Sequence, residues 1–238
     1  MTLSNRKILR TLFRLSAGML LSALCLLACD AKEPISENRD AEIESPVIAN
    51  DLSNQKVTAM AEDAQGHIWI GTFRGLNRYN VHDYHQYFCT DDSLGLPDNQ
   101  ITHLLRDSKN RFWVGTVNGV CLYTDKDNFR IIPVEADNKN IRQILEDRNG
   151  RIFLNTGFQL YAYHPETEKI TCVLPDISSG HTFYAQCHIA PDNNLWVMTA
   201  VSLYCYDLST LQLKETVALS GYPYYSYLHN NELWITGN

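Results

Sequence analysis

"DSKNRFWVGT", Asp107–Thr116, has two near copies in the same chain, DAQGHIWIGT at Asp63–Thr72 and DRNGRIFLNT at Asp147–Thr156. Each copy opens on Asp, passes through a turn rich in Gly and Asn, and enters a short apolar run with an aromatic in its seventh place. Aligning on that aromatic divides the chain into units of roughly 40 residues. Trp69, Trp113, Phe153 and Trp196 head four complete units, and Trp234 opens a fifth. Asp63, Asp107 and Asp147 stand six residues before their anchors, and Asp192 is expected to take that place in the fourth unit, after a turn shortened by two. Ten residues after each anchor comes a Tyr: Tyr79, Tyr123, Tyr163 and Tyr206.

Each unit parses into short strands. Val57–Asp63 alternates and ends at a Gly- or Asn-bearing turn of the kind tight hairpins need. HIWIGT is apolar on both faces, as a strand is when its sheet is covered on both sides. GLNRY or GVCLY follows after a brief break, then a looser fourth strand such as YHQYF. No window sustains a helical period. The expected fold is therefore all-β: a β-propeller of four complete four-stranded blades over residues 51–238, with a truncated fifth at Trp234. A β-sandwich would not demand a recurrence of this length.

The stretch GLPDNQITHLLRDSKNRFWVGTVNGVCLY, Gly95–Tyr123, resembles the two-component regulator propeller repeat: a Gly-Leu-Pro start, an alternating strand, Trp-x-Gly-Thr, then Gly-Leu-x-x-Tyr. VTAMAEDAQGHIWIGTFRGLNRYN, Val57–Asn80, is similar. The third unit departs with Phe153 and Asn155, and the fourth further, with Met198. The resemblance implies a sensor propeller, of seven blades when complete, at the extracytoplasmic front of a hybrid two-component histidine kinase. It also implies an oligosaccharide ligand and a dimeric full-length receptor, with the kinase activity in a C-terminal region. No catalytic activity is expected within this segment, and the break inside the fifth unit suggests the front part of a longer protein.

The two ends and the composition bear on location. Arg6, Lys7, Arg10 and Arg14 precede an uncharged run, Leu15–Ala28, which as a helix would reach only roughly 21 Å against the ~30 Å of a bilayer core. Residues 1–28 thus read as a signal peptide. LLAC, Leu26–Cys29, resembles a lipobox, which implies acylation of Cys29 and a membrane anchor; an ordinary cut near Ala28 or Ala31 is the alternative. Residues 29–50 read as a charged tether. The whole chain carries −7; removing those four cations from 20 leaves 16 basic against 27 acidic side chains, or −11. That excludes nucleic acid as the expected partner, because phosphate binding needs clustered cations. The expected setting is the periplasm, membrane-anchored.

Chemistry is sparse in the sequence. Cys89, Cys121, Cys172, Cys187 and Cys205 show no CxxC spacing and read as small apolar fillers. His82 and His85 lack a third metal ligand, so no metal and no cofactor is expected. DKDNFR, from Asp125, begins like a calcium loop but places Phe129 and Arg130 at ligand and glycine positions, so it reads as a hairpin turn. Among paired carboxylates, Glu62–Asp63 and Glu146–Asp147 recur at a turn and read as structural, whereas Asp91–Asp92 stands alone. Arg74 and Asn118 share one rim. SGYPYYSY, Ser220–Tyr227, offers either packing between blades, the expected role, or a platform for sugar rings. No ligand-binding residue is assigned. The alternative function is an exported propeller lipoprotein, acting as a scaffold or as a carbohydrate-active enzyme.

Overall fold

The computed structural model describes residues 46–90, 95–124, 126–164, 167–178, 185–221, 223–229 and 232–237. The signal stretch, Cys29 and the tether up to residue 45 lie outside them, as do Asp91, Asp92 and Asp125. The described residues form strands and turns without a helix.

In chain order, β1 (Val47–Ala49), β2 (Val57–Glu62), β3 (Ile68–Thr72), β4 (Gly75–Asn80) and β5 (Asp83–Tyr87) make the first sheet, with spatial order β1-β5-β4-β3-β2. The second sheet is β6 (Ile101–Arg106), β7 (Phe112–Thr116), β8 (Gly119–Tyr123) and β9 (Phe129–Ile132). The third is β10 (Gln143–Glu146), β11 (Ile152–Asn155), β12 (Leu160–His164) and β13 (Lys169–Leu174). The fourth is β14 (Gln186–Ile189), β15 (Asn194–Met198), β16 (Ser202–Asp207) and β17 (Leu213–Ala218). A hairpin of β18 (Pro223–His229) and β19 (Glu232–Gly237) makes the fifth. All pairings are antiparallel, and each complete sheet is a meander.

The first strands of successive units stand side by side, β2 against β6, β6 against β10, β10 against β14 and β14 against β18. Sheets stacked in this way are propeller blades. The fan stays open, with no contact of comparable extent between the fifth sheet and the first among the described residues. One difference from the sequence reading is the extra strand β1, inside the stretch taken for tether. Val47, Ile48 and Ala49 pair with Gln86, His85 and Tyr84, because the outer edge of β5 offers unpaired backbone groups to the first extended apolar segment beside it.

The core consists of seams between blades. One seam joins Trp69, Leu76 and Tyr87 of the first blade to Leu104, Phe112 and Val114 of the second. The next joins Trp113, Val120 and Leu122 to Ile144, Ile152 and Tyr163, and the third joins Phe153 and Leu160 to Cys187, Leu195 and Val197. β7 is buried along its whole length because Phe112 and Val114 face one neighbour while Trp113 faces the other. Each such side chain contributes about 1.5–3 kcal/mol by leaving water, and that burial depends on the neighbouring blade being present.

The repeated Thr closing each decapeptide has a defined task. Thr72, Thr116, Thr156 and Thr199 are buried and donate to the carbonyl three residues on, at 2.8, 2.9, 3.3 and 3.0 Å. They thereby hold the turn into the third strand. In the first two units that turn ends at Gly75 and Gly119, whose φ of 113° and 131° disfavours any side chain.

Candidate functional site at the rim of the first two blades

On one rim of the fan, the first turn of a blade is organised by one carboxylate. Buried Asp63 accepts the backbone N–H of Gln65 and of His67 at 2.9 Å on Oδ1. Its Oδ2 takes the Trp69 indole N–H at 2.8 Å and lies 2.9 Å from His67 Nδ1. Burial pushes the Asp63 pKa up, but the hydrogen bonds from Trp69, His67 and Gln65 prevail, so it titrates below its ordinary value. Asp107 repeats the pattern with Lys109 N, Arg111 N, Arg111 Nε at 2.6 Å and Trp113 Nε1 at 2.8 Å. Asp147 does so with Asn149 N, Arg151 N and Arg151 Nε, while Phe153 brings no N–H. These recurring acids are structural, as the repetition suggests. Glu146 instead reaches the preceding blade and accepts from Ser108 N at 2.8 Å.

The fourth unit corrects the expectation for Asp192. That residue is exposed and, among the described residues, bonds its near neighbour Asn194. Ala190 stands six residues before Trp196, and Ala190 N to Asn194 O (2.8 Å) with Asn193 N to Ala190 O (3.0 Å) reproduces the turn at Asp147. The turn is not shortened; Ala has replaced Asp, and the half-buried Trp196 has no carboxylate at that position.

The Tyr ten residues after the second, third and fourth anchors belongs to a seam. Tyr123 meets Trp69 of the preceding blade and Tyr163 meets Trp113, both edge-on, at 4.8 and 4.9 Å between centroids. Among the described residues no blade precedes Tyr79, which packs on Tyr84 and is exposed.

The first seam adds a charged network centred on one carboxylate. Arg78 Nη1 donates to Asp127 Oδ1 and to Tyr123 Oη, each at 2.8 Å, and Nη2 donates to His85 Nδ1 at 3.2 Å. Tyr87 and Tyr123 donate their hydroxyls to the same Asp127 Oδ1 at 2.7 and 3.0 Å. The guanidinium lies over Trp69, 5.4 Å from the ring centroid. For Asp127, burial raises the pKa, but the Tyr87 and Tyr123 hydroxyls and Arg78 together bring it below the usual carboxylate value. Burial and the bond to Asp127 push the Tyr87 phenol well above its ordinary value. The hairpin between β8 and β9 holds this acid in place, with Lys126 and Asp127 both left-handed at φ of 65° and 62°.

Beside the network is a cleft of about 360 Å³, lined from the first blade by Asp63, Gln65, His67 and Arg78, and from the second by Asn110, Tyr123 and Lys126 among others. It combines amide groups, cations and an aromatic edge across a seam. The sequence singled out none of these as ligands. It identified DKDNFR correctly as a hairpin turn over its described part, but nothing in its spacing joined Asp127 to Arg78.

The other candidates lie elsewhere. Arg74 and Asn118 are exposed in the turns held by Thr72 and Thr116, on the opposite rim from the cleft. His82 is exposed, whereas His85 is engaged by Arg78. Cys121, Cys187 and Cys205 are buried free thiols, as fillers should be; Cys89 and Cys172 are exposed instead. Burial pushes the Cys187 thiol up to about 12. The tyrosine stretch lies on the last described hairpin. Tyr224, Tyr225 and Tyr227 are 59%, 73% and 65% exposed; Tyr227 pairs with exposed Trp234 on the face of the hairpin turned away from the fourth blade.

Comparison with known proteins agrees with this architecture. The two component regulator propeller family matches residues 51–74 and 95–118. Among solved structures, the extracellular domain assigned to the hybrid two component system BT3049 from B. thetaiotaomicron is 18% identical, with a TM-score of 0.66 over 80% of this chain and 29% of its own. That of BT4673 from the same organism is 22% identical, with a TM-score of 0.64 over 76% of this chain and 26% of its own. Virginiamycin B lyase from Staphylococcus aureus is 18% identical, with a TM-score of 0.57 over 79% of this chain and 66% of its own. The chain thus spans less than a third of the sensor domains it matches. Among curated proteins none matches it in sequence. Residues 51–74 and 95–118 are accordingly two component regulator propeller repeats, carried on a propeller-type all-β fold.

Proposed function

We propose that this chain is the extracytoplasmic ligand-sensing part of a two-component signalling receptor. The supporting observation is that its two best-formed blades are repeats of the two component regulator propeller family. The likeness in fold to extracellular domains of hybrid two component systems points the same way. The ligand is an oligosaccharide, and the receptor is held to the membrane through acylated Cys29 and signals as a dimer. Signalling needs a ligand that prefers one arrangement of the receptor over another. A cleft walled by two blades suits that need, because an occupant contacting both biases the seam between them.

An exported propeller enzyme is the second reading, favoured by the likeness in fold to virginiamycin B lyase. Isothermal titration of the chain against a panel of oligosaccharides, followed by analysis of the recovered sugars, separates the two. Binding with the sugar returned intact supports the sensor. Conversion of the sugar supports the enzyme, and absence of any heat across the panel overturns the oligosaccharide assignment.

A further inference from the structure

We infer that β5 couples an N-terminal strap, residues 47–53, to the Arg78–Asp127 cluster beside the cleft, so that events in the cleft reach the point where the tether joins the propeller. The inference rests on the sensing reading above and gives that same site a mechanical output.

The first blade has a seat built for the strap. Asn77 on β4 and Gln86 on β5 face each other across the ladder, and both are buried. Asn77 Oδ1 accepts the Ser53 backbone N–H at 2.8 Å, and its Nδ2 donates to Ser53 Oγ at 2.8 Å. Gln86 Nε2 donates to Asp51 O at 2.8 Å. The corresponding ladder pairs of the next three blades are Cys121–Ile131, Tyr161–Cys172 and Tyr204–Thr216. Among the described blades, two facing amides thus occur in the one that carries a strap. Buried amides need partners, and Asp51 and Ser53 supply them. The strap's own strand, β1, lies on the edge of β5, with Val47 and Ile48 still 54% and 65% exposed. An edge strand with so little apolar burial opens at low cost.

β5 connects the strap to the cluster because its successive side chains point to opposite faces. His85 and Tyr87 face the second blade, where Arg78 Nη2 donates to His85 Nδ1 at 3.2 Å and Tyr87 donates to Asp127 Oδ1 at 2.7 Å. Gln86, between them, holds Asp51 from the other face. The backbones of His85 and Gln86 also pair with Ile48 and Val47. Arg78 lines the cleft, so an occupant that draws on its guanidinium alters the hold on His85 and Asp127. The two-state element is β1, paired or released, and β5 is the part that both sites touch.

The test is amide hydrogen exchange of the full chain, comparing the wild type with Asp127→Asn, Tyr87→Phe and Gln86→Leu. Ser53 N–H, bonded to Asn77 Oδ1, reports on the strap. Thr124 N–H, bonded to Asn128 O at 2.8 Å, reports on the hairpin that carries Asp127. Asp127→Asn and Tyr87→Phe are expected to quicken exchange at Ser53 at least about fivefold, although the hydrogen bonds they remove lie within the cluster and not in the strap. Coupling is reciprocal, so Gln86→Leu should quicken Thr124 by a similar factor. Wild-type exchange at Ser53 in both cluster variants, or at Thr124 in Gln86→Leu, overturns the inference. Quickening that extends to β12 and β16 in every variant overturns it too, since that is general loosening without a coupled path. No saccharide enters these measurements, so their failure leaves the sensing reading standing; silence in the oligosaccharide titration would remove the oligosaccharide and leave the coupling.

Discussion

Tyr123 stands edge-on to Trp69, ring centroids 4.8 Å apart and planes at 62°, although the two residues belong to different blades. The same geometry links Tyr163 to Trp113. An anchor is thus finished by the blade that follows it, and the first turn of each of the first three blades is finished by its own carboxylate. This division yields separable expectations.

Asp107→Ala should cost more than Asp147→Ala. Both remove the acceptor for two backbone N–H groups and an Arg Nε, but only the first orphans a buried indole N–H, that of Trp113. A buried donor without a partner costs about 1–3 kcal/mol, and the two urea-unfolding free energies should differ by that amount. Equal losses would mean that the indole bond contributes nothing net.

Gly71→Ala should be more damaging than Gly115→Ala. An added Cβ at residue 71 would stand 2.5 Å from Ile101 Cγ2, and at residue 115 it would stand 3.0 Å from Ile141 Cγ2. Both obstacles are stiff β-branched side chains of the next blade, Ile101 at the start of β6 and Ile141 two residues before β10. Overpacking of this kind costs about 1–3 kcal/mol, read as a drop in denaturation midpoint, with the residue 71 variant at the upper end.

Stability should fall on acidification before any carboxylate titrates. Burial lowers the His103 pKa below its ordinary 6.5, against a partly compensating bond to the Ile144 backbone, and burial does the same for His188. The folded state therefore binds protons less readily than the unfolded chain. Their contribution is fully present above pH 6.5 and is lost progressively as pH falls below it, through the folded-state pKa values. His103 stands ten residues before its anchor, where the next two blades carry Gln143 and Gln186. His103→Gln should therefore flatten part of the melting temperature profile below pH 6.5. An unchanged profile would assign the slope elsewhere.

Asp127→Asn should loosen the first seam specifically. Asn keeps the left-handed turn but gives up the charge shared by Arg78, Tyr87 and Tyr123. Hydrogen bonds to a charged group contribute about 1.5–3 kcal/mol, discounted here because Asp127 is 28% exposed. Hydrogen exchange should quicken in β5 and β8 and leave β12 and β16 unaffected. A uniform change would indicate global unfolding rather than a local seam.

Period, strand content and anchor positions were legible without coordinates, because they depend on patterns within one unit: apolar runs, turn residues and a fixed offset to the next Tyr. What that Tyr touches was not legible. Its partner lies in the preceding blade, and the pairing is set by how far each sheet rotates about the common axis. The same limit hid the Arg78–Asp127 cluster, whose members come from β4 and β5 of the first blade and from β8 and the hairpin after it in the second. It also misplaced the fourth carboxylate: residue type favoured Asp192, while the backbone turn shows that Ala190 holds the position. Sequence determined the blade, since a blade's hydrogen bonds are nearly all local. The seams and the cleft were decided by tertiary structure alone, since apolar burial and charge pairing there depend on which surfaces meet and not on which residues are adjacent in the chain.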